Sequence, residues 1–441
     1  MKSLKQSAGI RLTAIAFLTL LLLIPAILIQ ELISERENRR NSVAHEISEK
    51  WGDTQTITGP IITIPYLHRS EKEGVVTQTV RHAHFLPENL TIQGTVEPEV
   101  RYRGIYESIV YTSGLSLSGN FSPLNLRGLN IPADDFLTED AFVSIGISDM
   151  TGIRERIRIE WGDRDYTAAP GIASGDVLSS GVSVSPVINP EIPVSFSVHL
   201  TLNGSSELLF SPIGEQTRVS LASGWPNPAF TGNFLPERRE VHSSGFKAEW
   251  NVLHLNRNFP QQWLGSSHEI SNFSFGVSLL LPVNEYQKTM RTAKYAIMFI
   301  GLTFLTFFMF EIYSKQAIHP VQYLLIGFAL LVFYTLLLSA SEYVAFNLSY
   351  LLSSAAVILL ITLYSYSVLS SIRNSAILFG VLVLLYSYLY ILLQLQDYAL
   401  FMGSIALFSV LATVMFLTRN VNWFNVMQTE DDTEMGYSAG R

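Results

Sequence analysis

The feature that most constrains this chain is a set of five apolar runs between Ala293 and Leu417. That stretch holds only six Asp, Glu, Lys or Arg residues: Lys294, Glu311, Lys315, Glu342, Arg373 and Asp397. All six sit at or near the ends of the runs, which fall near 295–314, 321–340, 350–369, 375–394 and 398–417. A helix rising about 1.5 Å per residue needs about 20 residues to cross a hydrocarbon core of about 30 Å, and each run has that length. Inside lipid the backbone must satisfy its own hydrogen bonds, so the runs predict helices.

A further apolar run covers 12–29, behind a short basic start with Lys2, Lys5 and Arg11. A cleaved signal peptide would have an apolar core of about 7–15 residues ending at a small-x-small site. This run is longer and flows into Gln30-Glu31-Leu32, so it is expected to stay as an anchor, the first of six spans. Residues 30–51 read as a helical stalk leaving the membrane, with Val43, Ile47 and Trp51 recurring every four residues on one stripe.

From 52 to 283 the apolar period changes from helical to two. Val194, Phe196, Val198, Leu200 and Leu202 alternate with Ser195, Ser197, His199, Thr201 and Asn203. The segments 115–118, 157–161, 219–221 and 275–279 alternate as well. Asn203-Gly204 signals a hairpin, and Gly, Pro, Asn and Ser break the runs at short intervals. With no amphipathic helix between the strands, the pattern favours a large antiparallel all-β sandwich inserted after the first span. It forms one body or two lobes, with the Gly- and Ser-rich piece 168–186 as the expected seam. Asn284 and Gln287 suit a capping box that starts a helix over 284–294, expected to run straight into the membrane at Tyr295. The five-helix domain then occupies 295–417.

Cytoplasmic loops are rich in Lys and Arg. With the amino end (1–11) inside, the inner segments carry Lys2, Lys5, Arg11, Lys315, Arg373 and Arg419, and the short outer loops carry Glu342 and Asp397. The orientation therefore puts the β-rich part outside, in the periplasm if the cell has one, and both termini in the cytoplasm. Residues 31–293 carry 30 acidic and 21 basic side chains, a balance that argues against nucleic acid as a partner. The chain has no cysteine, which excludes disulfides, thiolate metal sites and cysteine nucleophiles. There is no G-x-S-x-G, P-loop or H-E-x-x-H motif, so no motif supports hydrolase, ATPase or zincin chemistry. The acidic tail within 418–441 reads as disordered.

Each polar or aromatic candidate has a plainer reading beside it. Glu311 and His319 flank an inner turn and could relay protons. The plainer reading pairs Glu311 with Lys315 at i,i+4 near the headgroups and has His319-Pro320 begin the next helix. Glu342 and Asp397 could form an acidic mouth, or simply be loop residues. Tyr364, Tyr366, Tyr386, Tyr388 and Tyr390 read as interfacial belt residues. Lys288, Arg291 and Lys294 make a basic stripe that either holds lipid headgroups or snorkels. His82 and His84 share a strand face, but no further metal ligand is placed by the sequence, so no metal or other cofactor is expected. Trp225, Pro226, Phe230, Phe234 and Trp250 lie on or beside rigid turns, as a contact surface or as core packing.

The run from 293 to 343, AKYAIMFIGLTFLTFFMFEIYSKQAIHPVQYLLIGFALLVFYTLLLSASEY, resembles the membrane core of the CreD family. SGWPNPAFTGNFLPERREVHSSGFKAEW at 223–250 and RNVNWF at 419–424 are similar to that family's outer segment and last-span exit. The resemblance extends over nearly the whole chain and leaves out the acidic tail. It implies a Gram-negative inner-membrane protein with a periplasmic domain, expressed under an envelope-linked two-component regulator. It also implies a link to envelope integrity, colicin tolerance and β-lactam response. It supplies no catalytic residues. The expected function is therefore non-enzymatic, with an envelope protein or glycan as the expected partner of the β-rich part and lipid around the spans. A transporter or channel is the main alternative, and an enzyme acting on envelope lipid or glycan is a further one.

Overall fold

The computed structural model describes residues 8–72, 75–280, 285–314, 318–369, 371–395 and 398–419. Lys315, Asn284 and Asp397 lie outside these segments. The chain divides into two compact units, Met1–Arg39 with Val283–Arg441, and Arg40–Pro282.

The first unit is helical. Two helices, α1 (Ala8–Leu21) and α2 (Leu23–Trp51), follow one another with almost no interruption. The break falls just before Pro25, which has no N–H to bond the carbonyl four residues back. The later helices are α3 (Glu285–Lys294), α4 (Ala296–Ser314), α5 (Pro320–Ser341), α6 (Phe346–Leu369), α7 (Ile372–Gln394) and α8 (Ala399–Thr418). Among the described residues, four helices are long and apolar enough to cross a membrane, namely Leu12–Trp51, α5, α6 and α7. The pair α3 and α4 makes a fifth if its bend of 43° is counted within one span, and Phe401–Phe416 is a shorter apolar helix.

That bend replaces the straight helix expected at Tyr295. The two halves have different surfaces to satisfy. Helix α3 is polar and buries only Tyr286, Thr289, Thr292 and Ala293, one stripe that packs toward α5, whereas α4 is apolar on every side. The Tyr295 amide bonds Thr292 three residues back, a tight turn at the junction.

Around α5 the helices approach closely. A Cβ on Gly327 would lie 2.2 Å from Cδ1 of Leu22, which is itself fully buried. Small residues at such crossings let helix backbones meet where no hydrophobic force separates lipid from protein.

The second unit is built from two sheets around one core. The nine-stranded sheet runs β13 (Pro228–Gly232), β17 (Phe275–Leu279), β11 (Glu207–Phe210), β1 (Gln55–Lys72), β5 (Phe142–Ile147), β9 (Gly181–Val184) and β8 (Ala169–Pro170). Of its other two strands, β2 (Val75–Phe85) pairs with β1 and β16 (Gln262–Leu264) pairs with β2. The eight-stranded sheet runs β14 (Arg238–His242), β15 (Gly245–Leu253), β12 (Gln216–Ser223), β3 (Asn89–Arg103), β4 (Tyr106–Phe121), β10 (Val194–Ser205), β6 (Arg158–Trp161) and β7 (Arg164–Thr167).

The alternating residues Phe196, Val198, Leu200 and Leu202 point into a core shared with Ile57, Ile62, Val143 and Phe275 of the other sheet. Pairing is antiparallel except for β1 with β11 and β3 with β12, which are parallel. Residues 168–186 are not a seam between lobes. They supply β8 and β9 to the larger sheet, whose strands share that single core.

Asn203-Gly204 is likewise not a hairpin. Strand β10 runs through it, and the chain turns at Ser206, whose φ is 58°. The Asn203 side chain accepts from Thr112 Oγ1 at 3.0 Å, and its carbonyl accepts from Gln55 Nε2 at 3.0 Å, which holds it extended. Gly204 is there for a close approach: a Cβ would sit 2.3 Å from the Tyr111 hydroxyl, which donates to Glu207 O at 2.7 Å.

The last turns of α2 belong to this β-rich unit. Val43 is buried, and Ile47 and Trp51 on the same stripe are half-buried. Trp51 Nε1 donates to Tyr111 O at 3.2 Å, and the Arg101 guanidinium stacks 3.8 Å from its ring centre. Glu46 pairs with Arg103, and that hydrogen bond together with Lys50 holds its carboxyl well below the usual range, at about 2.

Candidate functional site

Period-two patterning gives the eight-stranded sheet one apolar and one polar face. Leu90, Ile92, Leu115, Leu117, Val198, Leu200, Val219 and Leu221 are buried on the inner side. On the outer side the register lines up Arg218, Thr91, Ser118, Ser197 and Glu160 in one row. The next row is Ser220, Gln93, Ser116, His199 and Arg158, and beyond it lie Ala222, Thr95, Gly114 and Thr201.

Small side chains in the middle of these rows leave a trough. Three adjoining hollows of about 490, 380 and 300 Å³ share Thr95, Ala222, Gln93 and Ser220 along their borders. Charges gather at its two ends, with Glu97, Glu240 and Lys247 at one and Arg218, Arg238 and Glu249 at the other. Hydroxyls and amides fill the floor. Such a surface can exchange hydrogen bonds with an extended polar ligand.

A second cluster forms where the segment between β8 and β9 meets β2. His82 Nδ1 lies 3.1 Å from Asp176 Oδ2 and 3.1 Å from Ser174 Oγ. His84 is buried, with Nδ1 3.0 Å from Thr63 Oγ1 and Nε2 3.5 Å from the same Asp176 oxygen, too far for a hydrogen bond. Burial pushes His84 down to about 4 against the opposing pull of Asp176, so the ring is neutral near pH 7. Burial alone would raise Asp176. The Ser174 hydroxyl and His82 outweigh it and hold the carboxyl below its ordinary value. The two histidines do share a face, but among the described residues no group of three or more His, Cys, Asp and Glu is placed to hold a metal ion.

In the helical unit, Glu311 stands near the end of α4 as expected, and its expected partner Lys315 lies outside the described residues. Glu311 is buried and accepts from the Tyr323 hydroxyl at 3.2 Å and the Ile318 amide at 3.4 Å, which ties the end of α4 to the start of α5. Burial this deep needs such donors. His319 is exposed and caps α5, taking Val321 N at 3.3 Å while its own amide donates to Gln322 Oε1 at 2.9 Å. Glu342 lies in the turn after α5, as expected of a loop residue, but its side chain is mostly buried rather than solvated. It accepts from the Tyr286 hydroxyl at 3.2 Å and lies 3.9 Å from Arg36.

Arg291 and Lys294 are exposed on α3, and the Lys288 ammonium sits 5.6 Å from the centre of the Phe346 ring. Tyr386 is no belt residue. It is buried, 4.8 Å from Phe333 and 5.3 Å from Phe299 between ring centres, and its carbonyl accepts from the Tyr350 hydroxyl at 2.7 Å.

The turn aromatics are brought together as packing. Trp250 is buried, stacks edge-on with Phe230 and donates to Phe234 O at 3.2 Å, while Phe234 meets Phe275. Trp225 is half-buried, with Nε1 bonded to Leu280 O at 3.1 Å, and Pro226 is exposed. The polar trough was not among the residues singled out from sequence. Its signal was the Ser and Thr at outward positions of β3, β4 and β10, visible only once the strands are set side by side.

Apolar helices in one unit and a large two-sheet body in the other define a membrane protein carrying a β-rich domain. Residues 7–424 match the family described as Inner membrane protein CreD. The chain is 34% identical to the Inner membrane protein CreD of Escherichia coli (strain K12) over 432 residues, 96% of this chain and 95% of that protein. The chain belongs to the CreD family of inner membrane proteins.

Proposed function

We propose that the protein supports cell-envelope integrity by binding a polar envelope component, such as a glycan strand, in the trough of the eight-stranded sheet, without catalysing a reaction. In this reading the β-rich unit lies in the periplasm and both termini lie in the cytoplasm. The chain crosses six times, through α1 with the first part of α2, the bent α3–α4 pair, α5, α6, α7 and α8. The charge of the short loops supports that orientation, with Arg373 and Arg419 inside and Glu342 outside.

The observation that carries the binding role is the continuous trough of Ser, Thr, Gln and Gly between charged ends. Gly114 gives its test. A Cβ there would meet only Thr95 Oγ1 at 3.6 Å, ordinary contact, so a side chain fits the fold and fills the floor. In cells lacking the native gene, Gly114→Gln should accumulate normally and leave them about ten-fold more sensitive to a membrane-perturbing agent than the unsubstituted chain. Full protection by Gly114→Gln would contradict the proposal.

A further inference from the structure

A groove of about 940 Å³ opens between α6 and α7, a volume typical of sites for small organic ligands. It follows α6 from Asn347 to Leu359 and α7 from Ile391 back to Phe379. At about 1.5 Å per residue that is roughly 18 Å, close to half of a hydrocarbon core of about 30 Å, or one leaflet.

Its polarity is graded along this length. At one end stand Asn347, whose side chain accepts from Gln394 Nε2 at 3.4 Å, and Tyr390, stacked 5.4 Å from Tyr350. At the other end Ile358, Phe379 and Val383 offer no hydrogen bond. The lips, Leu351 and Leu359, are more than half exposed, so the groove faces outward from the helices and not into a pore. The floor is fixed: the Tyr350 hydroxyl is spent on the Tyr386 carbonyl at 2.7 Å, and Tyr386 is packed behind it.

A cation stands at the polar end. Lys288 lies beside the ring of Phe346, the residue before Asn347. The described carboxylates at this end are engaged elsewhere, Glu285 on the Phe346 amide at 3.3 Å and Glu342 on Tyr286 and Arg36. Among the described residues Lys288 has no carboxylate partner.

We propose that this groove is a preformed site for one anionic phospholipid of the surrounding bilayer. Its tail lies between α6 and α7 toward the membrane centre, and its phosphate lies beside Lys288. A rigid wall keeps one tail ordered where ordinary lipid around a helix exchanges freely, and the lysine selects the head. This site is independent of whatever the β-rich unit binds.

The test is native mass spectrometry of the full-length protein in detergent, titrated with phosphatidylglycerol and, in parallel, with phosphatidylcholine. The unsubstituted protein should retain one phosphatidylglycerol in preference to further copies. Ile358→Trp should weaken that retention about ten-fold, the effect of displacing about two methylenes. Lys288→Gln should bring phosphatidylglycerol down to the level of phosphatidylcholine. Val383→Trp, from the opposite wall, replaces Ile358→Trp if the latter does not fold, and Lys288→Gln decides alone if neither does. A ladder of adducts with no favoured first lipid, or retention unchanged by the substitutions, would overturn the proposal. So would a dimer that Ile358→Trp dissociates, which would make the groove a surface for a second copy.

Discussion

His84 shows how much one buried ring can impose. Folded, it is held neutral down to about pH 4; unfolded, it takes a proton near 6.5. Between those values the unfolded chain binds more protons, so stability rises with pH and is lost as pH falls from 6.5 toward 4. The loss is of order 3 kcal/mol at the acid end of the window. Thermal unfolding of the full-length protein in detergent should show the β-rich unit melting earlier across that window, and His84→Gln should flatten the dependence. An equal slope in both proteins would remove His84 as its source. The strand alternation of His82 and His84 was legible, because period two is a local property. Asp176 and Ser174 were not, because they come from a segment about 90 residues away that composition marks only as loop. The donors that bury Glu311 were hidden for a similar reason. An i,i+4 partner is visible on one helix, whereas Tyr323 and Ile318 reach the carboxylate only after the chain turns back.

At the scale of elements, apolar length was enough to find α4 to α7, since a bilayer leaves few alternatives to a helix of that length. The bend between α3 and α4 was hidden, because a capping box sets where a helix begins and says nothing of where its surroundings change. Close packing was hidden too. Gly327 sits inside an apolar run and looks unremarkable until Leu22 is found against it. Gly327→Leu should overpack this crossing and cost about 1–3 kcal/mol, read as a lower melting temperature of the helical unit in detergent. Gly301→Leu is a matched control, because a Cβ at Gly301 meets nothing within 4 Å. Equal melting of the two variants would show that the α1–α5 contact is not tight. In the sheets, Asn203-Gly204 carried the usual hairpin signature, but tertiary hydrogen bonds from Thr112 and Gln55 overrode it. Trp225 to Trp250 drew notice as a surface because aromatics beside Pro and Gly resemble binding loops, yet most of that aromatic area is spent on the core beneath β13 and β15.

At the scale of the whole molecule, two solvents divide the sequence. One part is built of largely apolar helices that satisfy their backbone internally; the other alternates every second residue across two sheets. This division made the architecture readable from composition and period. The trough stayed unread because it is a property of neighbouring strands of the eight-stranded sheet set side by side, and no single strand contains it. The placement of the β-rich unit outside the cytoplasm is the claim on which the binding role depends, and the lack of cysteine makes it directly measurable. Ser118→Cys puts one thiol on the exposed outer face of β4, and Ser3→Cys puts one near the amino end. In spheroplasts treated with a membrane-impermeant maleimide, Ser118→Cys should label at once and Ser3→Cys only after lysis. Labelling of Ser3→Cys in intact spheroplasts, with Ser118→Cys protected until lysis, would contradict the account.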